Sequence, residues 1–188
     1  VGLRVLVSQR QAIVSSSDLS DATLELMVER AIAMAKDAPQ DKHAGLASVN
    51  QLAKQRDLSE LEICDPATEP SPNKLQEQAE IAESSAMEVV GVSQVSGASA
   101  SYGKYSVFMA ASNGFTANYD RSSNSVSCVA IAGEGSGMER DYDADTRVYQ
   151  SDLRPSDEIG RTAGLRAVER LNPRRPATGN YPVIYDER

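Results

Sequence analysis

Few residues in this chain have side chains suited to chemistry. His43 is the only histidine, and Cys64 and Cys128 are the only cysteines. A zinc site takes three or four ligands at recognisable spacing, and one His with two distant Cys has no such spacing; the motif H-E-x-x-H is absent. Asp141, Asp143 and Asp145 in "RDYDADT" imitate the first half of a calcium loop. That loop needs Gly at its sixth position and Glu at its twelfth, where this chain has Thr146 and Asp152. In a strand the three carboxylates share one side, read here as a solvated sheet face. "GEGSG", Gly133 to Gly137, lacks the Lys-Ser or Lys-Thr of a phosphate loop and reads as a hairpin turn. The serines of "SSS" at 15–17 and "SQVSGASAS" at 93–101 include no G-x-S-x-G elbow, and a single His leaves little for a hydrolase triad. No catalytic, cofactor-binding or metal-ligating residue is assigned, and no cofactor is expected on this chain.

The elements that would position any site follow from composition and periodicity. With 188 residues, 40% of them hydrophobic, the chain can fill a real core, and its length suits one ordinary domain or two small ones, read here as one domain over 1–188. Aromatic residues make up only 5%, so that core must rest on small aliphatic side chains, which suits thin sheets and Ala-rich helices. The net charge of −8 opposes direct nucleic-acid binding, which depends on clustered Lys and Arg. The densest basic spot, Arg170, Arg174 and Arg175 around Pro173 and Pro176, reads as a solvated connector. There is no run of 18 apolar residues, and the start lacks the pattern of a signal peptide, so a soluble cytoplasmic protein without a membrane partner is expected. Two thiols outside any C-x-x-C pair fit a reducing compartment. Strand-like alternation begins at Gly2, and the chain is expected to start inside a longer protein.

Residues 2–7 and 11–16 flank the polar turn "SQR" and predict a hairpin. A helix over 20–37 follows, capped by Ser20, with Leu24, Val28, Ala31, Ile32 and Ala35 as its apolar stripe until Pro39. The Pro-rich stretch 64–73 predicts a connector. Ser71 and Pro72 then open a helix over 73–88 with the stripe Leu75, Ala79, Ala82, Ala86 and Val89. Period-two patterning from Val89 to Tyr149 predicts an antiparallel meander of four or five strands. It should turn at Asn113-Gly114 in type I′ geometry, near Ser122 to Asn124, and near Gly133 to Gly137. Ser156 caps a last helix carrying Ile159, Ala163, Ala167 and Leu171, and "GNYPVIYDER" predicts a short closing strand, with 182–188 beginning a further segment. The expected fold class is α+β, with amphipathic helices 20–37 and 73–88 packed on the antiparallel sheet.

"GLRVLV", "AIVSSSDLSDATLELMVERAIAMAKDAPQDKHAGLA", "SNGFTANYDRSSNSVSCVAIAGEGSGMERDYD" and "IGRTAGLRAVERLNPRRPATGNYPVIYDE" follow one another in the order of the TldD/PmbA family, whose PmbA (TldE) branch this chain resembles over nearly its whole length. The resemblance implies an amino-terminal domain lacking its first elements and the carboxy-terminal domain. It also implies a role in a cytoplasmic metallopeptidase complex for peptide maturation and proteolysis, with a TldD-like subunit or further copies of itself as partner and a peptide or unfolded protein as substrate. Zinc in that family is held by H-E-x-x-x-H and a later Cys in the TldD branch, outside the region this chain matches. Zinc is therefore expected only in a TldD-type subunit or carboxy-terminal domain, and this chain alone is expected to be inactive. An older family name implies the alternative, an interaction protein modulating DNA gyrase.

Overall fold

The computed structural model describes residues 1–54 and 57–185. The chain divides into two compact units, Val1–Lys54 with Met109–Thr116 and Gln55–Phe108 with Ala117–Arg188. The fold is α+β, with two antiparallel sheets.

In the first unit, β1 (Gly2–Val7) pairs antiparallel with β2 (Arg10–Ser15), from Gly2 opposite Ser15 to Val7 opposite Arg10. The two turn residues, Ser8 and Gln9, both have positive φ, 47° and 61°, the left-handed geometry a two-residue hairpin demands. Neither is glycine, so the turn carries backbone strain. Asp41 and Arg10 tie the surrounding segments together: the Asp41 N–H donates to the Gln9 carbonyl at 2.8 Å, and the Arg10 guanidinium donates to the Lys36 carbonyl at 2.6 Å.

Helix α1 (Asp21–Asp37) packs on this hairpin. Its buried residues are Met27, Ala31 and Ala35, a narrower row than the sequence predicts. Leu24 and Ile32 are only half-buried, and Val28 is exposed. A two-stranded sheet is too narrow to cover more than one row of a helix, which explains the difference. Ser20 stands at the N-cap, but its hydroxyl donates to Asp18 and meets Thr23 instead of bonding the helix backbone.

The tip of the long hairpin also belongs to this unit. Its turn closes with Ala111 N–H on the Phe115 carbonyl and Gly114 N–H on the Ala111 carbonyl. Gly114 has φ of 88° and Asn113 is not left-handed, so this is a three-residue loop with glycine in the left-handed position, where type I′ was expected.

The second unit holds all but the hairpin-tip ends of β3 (Val92–Ala110) and β4 (Thr116–Ala132), and β5 (Glu139–Arg147), in that spatial order. Three strands replace the expected four or five because β4 runs unbroken through Ser122 to Asn124. The polar side chains there need no turn, since the sheet satisfies them. Ser122 Oγ accepts from the Asp65 N–H at 2.7 Å and donates to the Val148 carbonyl, which also accepts from Asn124 Nδ2 at 2.9 Å. The turn at 133–137 forms as predicted, with Gly133 and Gly135 left-handed. Residues 179–185 carry no regular structure where a closing strand was expected, and 186–188 lie outside the described residues.

Helix α2 (Pro72–Met87) begins as the sequence predicts, with Ser71 Oγ accepting from the Lys74 N–H at 3.2 Å and Pro72 in the first turn. Helix α3 (Ser156–Glu169) starts one residue earlier relative to its cap than predicted, with Pro155 at the N-cap. The two helices pack on each other, and their small residues meet the sheet. Ala82, Ala86, Val126, Cys128, Ala130, Ala132, Ile159, Ala163 and Ala167 form one buried cluster, flanked by Val92, Val95, Ala98 and Ala100 of β3. The close approach is set at Gly160 and Gly164, whose absent side chains make room for the Ala82 carbonyl and for Val89.

Candidate functional site

The residues singled out for chemistry do not converge. His43 is exposed in the loop after α1, its backbone N–H bound to Asp41 Oδ1 at 2.9 Å. Cys64 and Cys128 are free thiols, and Cys128 is buried among the core alanines, where burial pushes its thiol up to about 11. At that value it is a packing residue, not a nucleophile.

The alternating carboxylates are placed opposite to expectation. Asp141, Asp143 and Asp145 are 7%, 4% and 9% exposed, so the face read as solvated is an inward one. Arginines of α3 and of the segment leading into it account for this. Arg170 Nε meets Asp141 at 2.6 Å, and Asp143 is held at 2.7 Å by both Arg166 and Arg154. Asp145 accepts from the Arg154 N–H at 2.9 Å and pairs with Arg147. Burial would raise the Asp145 carboxyl, but the Arg154 N–H and the Arg147 and Arg154 charges hold it below its usual range. The array is a latch between β5 and α3. Arg170, read from sequence as part of a solvated basic connector, is one of its teeth. Arg174 and Arg175 remain exposed.

Two features of the second unit are suited to contact another molecule. The first is β3, a 19-residue strand that lies outermost in the sheet and pairs with β4 on one side only. Such an edge offers main-chain N–H and C=O groups to an added strand. Tyr105 and Phe108 stand 63% and 79% exposed on it. The sheet face away from the helices is rich in hydroxyls, with Ser99 bonded to Ser127 at 2.9 Å and Thr146 to Ser125 at 3.1 Å.

The second is a cleft of about 670 Å³. It lies beside the segment 57–67, with Lys104 of β3, Asn118, Tyr119 and Asp120 of β4, and Tyr149 completing its walls. Asp65 anchors that segment: its carboxylate accepts the Gln150 N–H and the Ala67 N–H, both at 2.8 Å. Those two N–H groups, Gln150 first, hold the Asp65 carboxyl below its usual range. A carboxyl depressed in the folded state stabilises fully above its unfolded pKa, and loses that contribution as pH falls through its folded value. Asp65→Asn is therefore expected to flatten the loss of stability on acidification below about pH 4. Melting curves across that range measure it. A variant with the same acid dependence as the parent would show that Asp65 does not contribute.

Nothing in the sequence pointed to this cleft, because its walls come from four separated stretches with no shared pattern. The Asp–Arg latch did leave a trace. Carboxylates at alternate positions of a strand, and arginines 166 and 170 one helical turn apart, are the matched periods of two elements meeting along one line.

A family model for the PmbA/TldA metallopeptidase central domain matches residues 17–171. The chain is 32% identical over 188 residues to metalloprotease PmbA of Escherichia coli O157:H7, covering 98% of this chain and 41% of that protein. It is 30% identical over 186 residues to a PmbA homolog of Haemophilus influenzae, with the same two shares. Among solved structures it is similar to a Bacteroides thetaiotaomicron protein described as a modulator of DNA gyrase. The TM-score is 0.79 at 23% identity, over 96% of this chain and 41% of that one. That likeness shows the fold. The chain thus spans about two fifths of the length of the curated relatives it matches.

Proposed function

This chain belongs to the PmbA/TldA metallopeptidase family, and from that membership we propose that it is a non-catalytic, substrate-contacting scaffold of a TldD/PmbA-type metallopeptidase complex acting in peptide maturation and proteolysis. The observation that carries the reading is the long outer strand β3, an edge along which an extended peptide or unfolded segment can add by main-chain hydrogen bonds. Zinc is the metal that the family resemblance implies for such a complex, and this reading places it outside the described residues of this chain. Among them no three His, Cys, Asp or Glu side chains are grouped to hold a metal ion. On this reading the chain binds and aligns, and the hydrolytic chemistry belongs to a TldD-like subunit or to a carboxy-terminal domain.

A cytoplasmic setting accompanies this reading. Among the described residues no helix is long and apolar enough to cross a membrane. The description of the Bacteroides structure supports a second reading, an interaction protein modulating DNA gyrase. Copurification separates the two. The first reading expects the tagged protein to retain a zinc-bearing TldD-like subunit, or to self-associate, and to leave gyrase in the flow-through. Retention of gyrase with no peptidase partner and no self-association would favour the second.

A further inference from the structure

Given the substrate-contacting role proposed above, we infer that the cleft beside the 57–67 segment is a subsite for a lysine or arginine side chain of an extended peptide. Its volume of about 670 Å³ holds such a side chain with some of its neighbouring backbone. Leu58, Ile63 and Pro66 among its lining residues are of the apolar kind that suits a methylene stem, and Tyr119 and Tyr149 are of the kind that can attract a cation.

The charge on the walls is one-sided. Asp57, Glu62, Asp65 and Asp120 line the cleft against a single ammonium, Lys104. Among the described residues none of these four carboxylates is ion-paired with Lys or Arg, in contrast to Asp141, Asp143 and Asp145, which arginines already occupy. Asp65 is 9% exposed, and its two backbone N–H bonds fix it beneath the cleft, so its charge cannot turn away. The field reaches the cleft's own tyrosine: burial first, then Glu62 and Asp65, push the Tyr149 phenol up. The carboxylates are too dispersed to group as metal ligands, which leaves an organic cation as the complementary guest.

Anisotropy titration of the purified chain with labelled, end-blocked pentapeptides, identical except for a central Arg, norleucine or Glu, tests this directly. The Arg peptide is expected to bind about tenfold more tightly than the norleucine peptide, and the Glu peptide most weakly. Raising the salt should compress the difference. Glu62→Gln with Asp120→Asn, both at exposed positions, should bring the Arg and norleucine peptides within about twofold of each other. Asp57→Asn gives an independent variant with the same direction. Equal binding of the three peptides, or an Arg preference untouched in folded variants, would overturn the inference. So would free arginine amide competing as well as the peptide, which would mark a small-cation site. Failure to retain a TldD-like subunit in the copurification would count against the proposed function and leave this titration's outcome standing on its own.

Discussion

Gly160→Ala is expected to destabilise the second unit by about 3 kcal/mol, a loss of roughly 10 °C in Tm. A Cβ built at Gly160 overlaps the Ala82 carbonyl oxygen and falls 2.7 Å from its carbon. Both are backbone atoms of α2, so no rotamer change relieves the overlap. The helices must separate, and the residues they bury at this crossing, Ala82, Ala86, Ile159 and Ala163, lose contact together. Alanine gains about 1 kcal/mol over glycine in helix propensity, which offsets only part of the overpacking. Gly97→Ala supplies the contrast. A Cβ there meets nothing within 4 Å, and its effect should stay within about 0.5 kcal/mol. Thermal melts of the two variants side by side decide the matter. Equal melting temperatures would show that the α2–α3 crossing is looser than described.

Asp143→Ala should destabilise the same unit by about 2 kcal/mol, the second of the large effects. Asp143 is 4% exposed and receives both Arg154 and Arg166 at 2.7 Å. Removing it takes a carboxylate from both guanidiniums, leaving Arg154 with Glu158 and the Ala144 carbonyl and Arg166 with the Tyr142 carbonyl, each at a longer distance. Loss of one partner of a fully buried pair costs about 3–5 kcal/mol. Here the arginine side chains are 32% and 33% exposed, so water softens the penalty to about 2 kcal/mol, below that range. Asp143→Asn keeps an acceptor oxygen and should lose about half as much. A denaturant titration in which Ala and Asn behave alike, both at the parent midpoint, would reduce the latch to surface decoration.

What the sequence made legible was local. Ser71-Pro72, the small-residue stripe of α2, the stripe Ile159, Ala163 and Ala167 of α3, and the reversals at 111–115 and 133–137 are set by capping, helical period and glycine conformation, and each appears where predicted. Partnership across the fold was not legible. Alternation shows that Asp141, Asp143 and Asp145 share a face but not which element covers it; the arginines that do so lie 9 to 29 residues downstream. Ser122 and Asn124 read as a turn because their side chains usually compete with the backbone; here the Val148 carbonyl and the Asp65 N–H satisfy them within the sheet. The apolar stripe of α1 is wider than the row the helix buries, because the width of the sheet beneath it is not written in the helix. The cleft depends on the 57–67 segment folding against β4, which no periodicity encodes.

The central claim is that this chain binds and aligns while another subunit or domain cuts. Its most direct test is a cleavage assay on an unfolded protein substrate, with the purified chain alone, with a zinc-bearing TldD-type subunit, and with both plus a chelator. The account predicts no cleavage by the chain alone, cleavage by the mixture above that of the TldD-type subunit by itself, and loss of that activity on chelation. Stoichiometric zinc and chelator-sensitive cleavage from this chain alone would contradict it.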